Sequence, residues 1–580
     1  MASTTSPSPA RPQSSQQEIG DEQTKISIHS SEDANLEKQQ SELAAPQLNK
    51  TAQEPDKVLE LASDSFPVEE QQWVSGFKLF SIMTSVSLVA FLMLLDTAII
   101  VTAIPQITND FHSLPDVGWY GAAYQIASAV LQPLTGKFYS SFNSKWTFMA
   151  FFALFELGSL ITAVANSSNM FIGGRAIAGM GTSGILNGAF TIIAGCVPMV
   201  KRPALIGMVT ATAQFGLVIG PFLGGLLTQY TTWRWCFYIN LPIGGLVAAM
   251  LAFVHVPDQL PKPPAMTVLR ELPAKLDLLG FAIFAPAAIQ LLLALQYGGI
   301  TFPWNSAKII GLFCGAGGTL ILFLAWEYHK GDEAMIPFSM VRKKIVWASC
   351  ATYGLLMCQL YCTSFYLPIY FQAVKGASPT LSGVYLLPSI LAHVFTAVPC
   401  GIVVGKVGYY LPFSLAGSTL MAIAYGLLST LAPGTSTGKW IGYQIIAGVG
   451  RGLGVQIPVI AVQNNLAPVQ IPVAMALVMF SQAFVGALFL TFSATIYTNS
   501  LKTQIPKYAP SVNPQTIINA GATGFRKFIK GGELAGVLAA YSKSVDGVFY
   551  LTAGAAVACF VTGWFMGFKD IRKKNQVSKA

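Results

Sequence analysis

A chain of 580 residues that is 53% hydrophobic and 11% charged is not an ordinary soluble domain, since soluble domains carry about 25% charged residues. Its mean hydropathy of +0.54 places most of it in lipid. The net charge of +9 is not a nucleic-acid footprint, because the basic residues gather in short loops and in the tail. The eight cysteines fall within or beside apolar runs, and none forms a Cys/His metal array or a disulfide framework. Cys358 and Cys362 are one helical turn apart with no His or carboxylate beside them, which reads as packing.

Residues 1–72 are rich in Ser, Gln, Glu, Ala and Pro and poor in aromatics. Such a segment buries too little apolar surface to fold, so a disordered cytoplasmic tail is expected. No apolar stretch of the signal-peptide kind follows Met1. A helix needs about 20 apolar residues to cross the hydrocarbon. On that basis fourteen spans are predicted, near 79–104, 117–139, 147–165, 170–195, 206–228, 236–254, 277–297 and 308–326, then near 346–370, 382–404, 412–432, 440–463, 473–497 and 546–567. A long outer loop is expected over 498–545. With the N-terminus inside, the short inner loops hold Lys137, Lys145, Lys201, Arg202, Lys262, Arg270, Lys275, Lys330, Arg342, Lys343, Lys344 and Lys406. The short outer loops hold only Arg234, Lys308, Lys375 and Lys439. The positive-inside bias therefore predicts two cytoplasmic termini, in agreement with the basic tail at 569–580.

An internal repeat follows. Gly136 and Ser140 after span 2 correspond to Gly401 and Gly405 after span 10, and Gly174 to Gly181 in span 4 corresponds to Gly442 to Gly450 in span 12. The two offsets are nearly equal, which predicts a duplicated six-span half: a bundle over 73–255, a linker with two extra spans over 256–345, and a second bundle over 346–568.

In span 5, Gly216, Gly220, Pro221, Gly224 and Gly225 form the pattern G-x-x-x-G-P-x-x-G-G. Glycines four apart clear one helix face for a neighbour at backbone distance, and the proline bends the helix. Taken alone, this is a packing motif of many membrane bundles. With the Pro and the paired glycines in this register it closely resembles the antiporter motif of major facilitator superfamily exporters. The continuation from Trp233 to Gly244, W-R-W-x-F-x-I-N-L-P-x-G, resembles the fourteen-span drug:proton antiporters. The resemblance covers about residues 75–570. It implies an all-α fold, proton-driven export without a cofactor, and a monomer in lipid.

Charged groups inside spans are costly and mark candidate sites. Asp96, in Leu95-Asp96-Thr97, resembles the first-span signature of those antiporters and is a candidate to exchange the coupling proton; equally, it could fix span 1 through a hydrogen bond. Glu156, near the centre of span 3, could hold a proton, meet a cationic substrate or join two helices. Arg175 resembles the superfamily's R-x-x-x-G-x-G motif, which implies a part in proton transfer, and is expected to partner Asp96 or Glu156. The gating loop departs from the family pattern. Ser140 stands where the resemblance expects Asp, Lys145 alone keeps the charge, and the second copy has Gly405 with Lys406. Gly136 and Gly401 stay in register.

In the second half Gln359, Gln372, His393, Gln456, Gln463 and Gln482, with Tyr361, Tyr366, Phe371 and Phe395, could line an amphipathic cavity, or each could be interhelical glue. Arg451 needs a partner that the sequence does not name. Asn166-Ser-Ser is a glycosylation sequon in a very short outer loop, where occupancy is not expected.

The expected function is proton-coupled export of amphipathic compounds such as toxins, secondary metabolites or fungicides from a plasma membrane, as in the fungal members that this chain resembles. Uptake or vacuolar exchange of siderophores, basic amino acids or polyamines by the same fold is the alternative, with the vacuolar membrane as the second location. A channel or membrane enzyme is disfavoured by the repeat and by five scattered histidines. No G-x-x-x-x-G-K-[ST] loop occurs, which argues against direct ATP use.

Overall fold

A chain segment in hydrocarbon must satisfy its backbone polar groups internally, and runs of this length and apolarity do so as helices. The computed structural model describes residues 73–572 apart from 113–115, 264–266, 269–274, 300–301, 528 and 530. The expected tail at 1–72, Arg270 and the last residues of the basic tail lie outside the described residues.

Fourteen long helices order the described chain. The first eight are α1 (Gly76–Phe111), α2 (Val117–Ser141), α3 (Ser144–Ala163), α4 (Ser168–Cys196), α5 (Arg202–Tyr230), α6 (Asn240–Phe253), α7 (Leu278–Tyr297) and α8 (Ala307–Lys330). They are followed by α9 (Lys344–Ile369), α10 (Leu387–Val407), α11 (Leu411–Leu428), α12 (Thr437–Gly454), α13 (Ile471–Tyr508) and α14 (Gly532–Trp564). One helical turn, Trp235–Tyr238, precedes α6, and a short helix, Ile457–Asn465, carries α12 onward. Thirteen spans among the described residues are long and apolar enough to cross a membrane. The helix outside that set is α2, whose 25 residues include Gln125, Gln132 and Lys137.

The expected loop over 498–545 is corrected. α13 runs on to Tyr508, a helix covers Pro514–Gly524, and α14 begins at Gly532 rather than near 546. Polar Glu533, Lys543 and Asp546 hide this extension from a hydropathy scan, while Val537, Ala540, Tyr541 and Val545 are buried. Packing of one amphipathic face, not overall apolarity, sets this helix boundary.

α1 packs on α5, α3 on α4, and α4 on α2; in the second half α10 packs on α12, α11 on α12 and α14, and α9 on α13. α7 and α8 pair with each other and meet α2 and α13 through Phe284, Phe323 and Phe480. The two halves touch mainly along α2 with α13 and α5 with α10. At both crossings a glycine lies against backbone: Gly136 against Pro472 and Val473, and Gly401 against Pro203 and Ala204. These contacts lie at the end where α2 and α10 finish and α5 and α13 begin. The same end carries Gln463, whose amide donates to the Phe190 carbonyl at 3.1 Å across the halves. Large apolar side chains such as Phe77, Phe253, Tyr328 and Phe395 stand on the outer surface, as suits a protein solvated by lipid.

Candidate functional site

The first half holds a buried polar cluster assembled from five helices. Asp96 of α1 and Arg175 of α4 form an ion pair at 2.5 Å with both side chains buried. Among the described residues no other ion pair is buried on both sides. The guanidinium also donates through Nε to the Tyr120 carbonyl of α2 at 3.2 Å. It lies over the Tyr124 ring at 4.3 Å, with Phe237 at 5.8 Å. Arg175 is two turns inside α4.

Asn240, at the start of α6, completes the cluster. Its Nδ2 donates to Asp96 Oδ1 at 3.3 Å and to Ser159 Oγ of α3 at 3.2 Å. One turn before Ser159, Glu156 turns its carboxylate toward Gly244 of α6; both oxygens are buried and neither has a hydrogen-bond partner. The structure thus pairs Arg175 with Asp96 and places Glu156 nearby, beyond Ser159. Asn240 belongs to this cluster and was not singled out from the sequence. The signal was present as the Asn of the I-N-L-P stretch, a buried amide at the mouth of a span.

The glycine stripe of α5 lies on α1. A side chain at Gly216 would strike Phe91 and Leu95, at Gly220 Ala98 and Ile99, and at Gly224 Ile99 and Thr102. Gly225 faces open space, so its place in the motif has no packing reason. Pro221 sits inside α5. The Trp233–Arg234 pair closes the far end of the half. Trp233 is buried among Phe111, Phe171 and Phe237 and donates to Asp110 at 2.7 Å, while Arg234 donates to the Ala165 carbonyl at 2.9 Å.

The loop between α2 and α3 has Ser140 where an acid is expected, and an acid from further along the chain braces it at Asn143 and Ser144. Asp258, after α6, accepts from the Asn143 amide at 2.7 Å and from the Ser144 N–H at 3.0 Å. Lys262 pairs with Asp258 at 2.9 Å and donates to the carbonyls of Tyr139 and Phe142. Burial draws the Lys262 ammonium below its ordinary value, against the pull of the Asp258 carboxylate. Lys145 caps α6 by donating to the carbonyls of Ala252 and Val254. The second half repeats the device. The segment after α14 crosses back over the α10–α11 loop, with Ile571 N–H donating to the Gly408 carbonyl and Phe568 stacked on Tyr409. Its Arg572 grips Asp570 and donates to the Lys406 carbonyl. These two straps join residues more than 100 positions apart, so no local pattern announces them.

Most of the residues singled out in the second half are held by partners of their own. Gln359 donates within its own helix and Gln482 to Tyr361. Gln456 donates to Ala397, and Gln372 donates to Ser382. Tyr366 packs on Tyr497, and Phe371 is in an aromatic group with Tyr385 and Trp440. Phe395 is 74% exposed. His393 is buried with both ring nitrogens unpartnered. Asn166 is exposed in the turn before α4. Among the described residues no group of His, Cys, Asp and Glu is placed to hold a metal ion.

Comparison with known proteins accords with this geometry. The chain is 61% identical over 514 residues to the MFS-type transporter pigP of Monascus ruber, covering 89% of this chain and 90% of that one. It is 50% identical to the efflux pump mlcE of Penicillium citrinum, covering 87% and 93%. The fold resembles the proton:xylose symporter XylE at a TM-score of 0.55 and 14% identity, over 86% of this chain and 98% of that one. Residues 86–490 match the family profile, and with the paired halves and the glycine crossings between them the chain belongs to the Major Facilitator Superfamily.

Proposed function

We propose that this chain is a proton-coupled efflux transporter that exports amphipathic organic compounds, such as toxins, secondary metabolites or fungicides, across the plasma membrane. In this reading its fourteen helices are arranged as six, two and six, and both termini are cytoplasmic. The end that carries the straps and the glycine crossings is the cytoplasmic gate. The chain acts as a monomer, and the proton gradient, not a cofactor, supplies the energy. The names of its relatives as efflux pumps and transporters support the outward direction.

The observation that carries the reading is the buried Asp96–Arg175 pair. A guanidinium keeps its proton, so the carboxylate is the member that exchanges one. A proton on Asp96 removes the attraction between α1 and α4 and leaves Arg175 to the Tyr120 carbonyl and the Tyr124 ring. α1 is also the helix on which the glycine stripe of α5 rests. Loosening α1 from α4 therefore acts on the α1–α5 contact, and α5 crosses to the second half at α10. This gives a physical route from one proton to rocking of the halves. Glu156, buried without a partner nearby, is a second carboxyl through which that proton passes.

The test is efflux of a panel of fungicides and fungal metabolites from yeast that lacks its own pumps, with and without a protonophore. Export by the wild type that stops on protonophore addition and in Asp96→Asn is the expected result. Accumulation in place of export contradicts the direction, and export that survives Asp96→Asn contradicts the assignment of the proton site.

A further inference from the structure

The second half contains a buried cation for which the chain supplies no counter-ion. Arg451 of α12 is 3% exposed. Its Nη2 donates to Ser389 Oγ of α10 at 2.5 Å, and its Nε has no partner. No carboxylate among the described residues lies within ion-pair distance of it. Beside it, within electrostatic reach, are His393 of α10, buried with both nitrogens unpartnered, and Tyr425 of α11. A guanidinium cannot shed its charge, and an uncompensated charge away from water is costly. In the first half Arg175 has Asp96, a carbonyl and two rings. In the second half the corresponding demand is met by one hydroxyl.

α12 stops at Gly454, one turn beyond Arg451, and the backbone stays helical through Val455 and Gln456 into the short helix Ile457–Asn465, so Arg451 lies well inside one continuous span. Gly448 and Gly452 bring α12 close to the carbonyls of Ser389 and His393 on α10.

We propose that Arg451, with Ser389, His393 and Tyr425, is the docking site for a carboxylate on the carried compound, which makes the cargo an amphipathic organic acid. Ser389, His393 and Tyr425 can each donate a hydrogen bond, and the chemistry that is missing is a planar anion. A carboxylate fits the guanidinium fork with two parallel hydrogen bonds. This assignment rests on the export reading given above and narrows its substrate class.

The experiment uses the full chain in pump-deficient yeast and a panel of aliphatic and aromatic amphipathic acids, each with its methyl ester. The wild type is expected to export at least one acid about tenfold faster than its ester, the difference that one charge-assisted contact makes. In Arg451→Gln the acid-to-ester ratio is expected to fall by about tenfold, whereas Arg451→Lys keeps part of it. A purely structural role lowers acid and ester together, leaves the ratio where it was and overturns the proposal. Wild-type export of esters alone overturns the proposal and leaves the export reading standing; export of neither form overturns both. Should Arg451→Gln fail to reach the membrane, Ser389→Ala decides. A rise of about fivefold in the half-saturating acid concentration, with no such rise for the ester, supports the site, and equal behaviour of both compounds contradicts it.

Discussion

At the scale of single residues, what distinguishes this molecule is that its two intramembrane arginines are treated differently. Arg175 is neutralised within the chain by Asp96. Removing one member of a buried pair leaves the other uncompensated and costs about 3–5 kcal/mol. Asp96→Asn and Arg175→Gln are each expected to lower thermal stability of the detergent-purified protein by that order. The double variant is expected to recover most of the loss, since neither charge is then stranded. Additive losses in a thermal-shift series contradict the account. Trp233 makes a second prediction. It is a fully buried ring whose indole N–H is bonded to Asp110, so Trp233→Ala is expected to cost about 3–5 kcal/mol. In the same thermal-shift series, no loss places the W-R-W stretch outside the packing. Asp96, Glu156 and Arg175 were legible in the sequence because charge is rare in apolar runs. Asn240 was not, because a buried amide leaves no mark on composition. Nor was the exposure of Phe395, which depends on the rotational setting of α10.

At the scale of helices, glycine spacing was the most informative local signal, and its packing is visible on α1. Gly220→Val places two methyls against the Ala98 side chain and the α1 backbone. The expected result is a protein that reaches the membrane and exports at under about a tenth of the wild-type rate, because overpacking of a tight contact costs about 1–3 kcal/mol without abolishing the fold. Full activity of Gly220→Val, with Gly225→Val as the open-space control, contradicts a role for the stripe. The straps carry a different lesson. Asp258 and Lys262 stabilise the loop before α3 through charge-assisted bonds worth about 1.5–3 kcal/mol each. Asp258→Ala is therefore expected to loosen this end of the bundle and speed proteolysis or labelling of the Phe142–Ser144 loop. Unchanged labelling rates contradict the strap as a gate element. The sequence signalled the missing acid at Ser140 but not that Asp258, 115 positions beyond Asn143, bonds Asn143 and Ser144 in the same loop. The start of α14 was hidden for a similar reason, since a half-buried helix resembles a polar loop when its residues are averaged.

At the scale of the whole molecule, the glycines that recur at nearly equal offsets mark places where backbones touch. Gly136 with α13 and Gly401 with α5 are two such contacts, one from each half. In the function proposed above the two halves have separate tasks around those crossings. The first, with the Asp96–Arg175 pair and the glycine stripe, handles the proton, and the second, with Arg451, receives an anion of the cargo. The measurement that tests this most directly is proton movement in liposomes that contain only the purified full chain and a pH-sensitive dye. A compound exported in cells is added under an imposed pH gradient. The account predicts proton flux opposite to compound flux in the wild type and compound movement uncoupled from protons in Asp96→Asn. Compound flux that ignores the gradient in the wild type, or coupling that persists in Asp96→Asn, contradicts it.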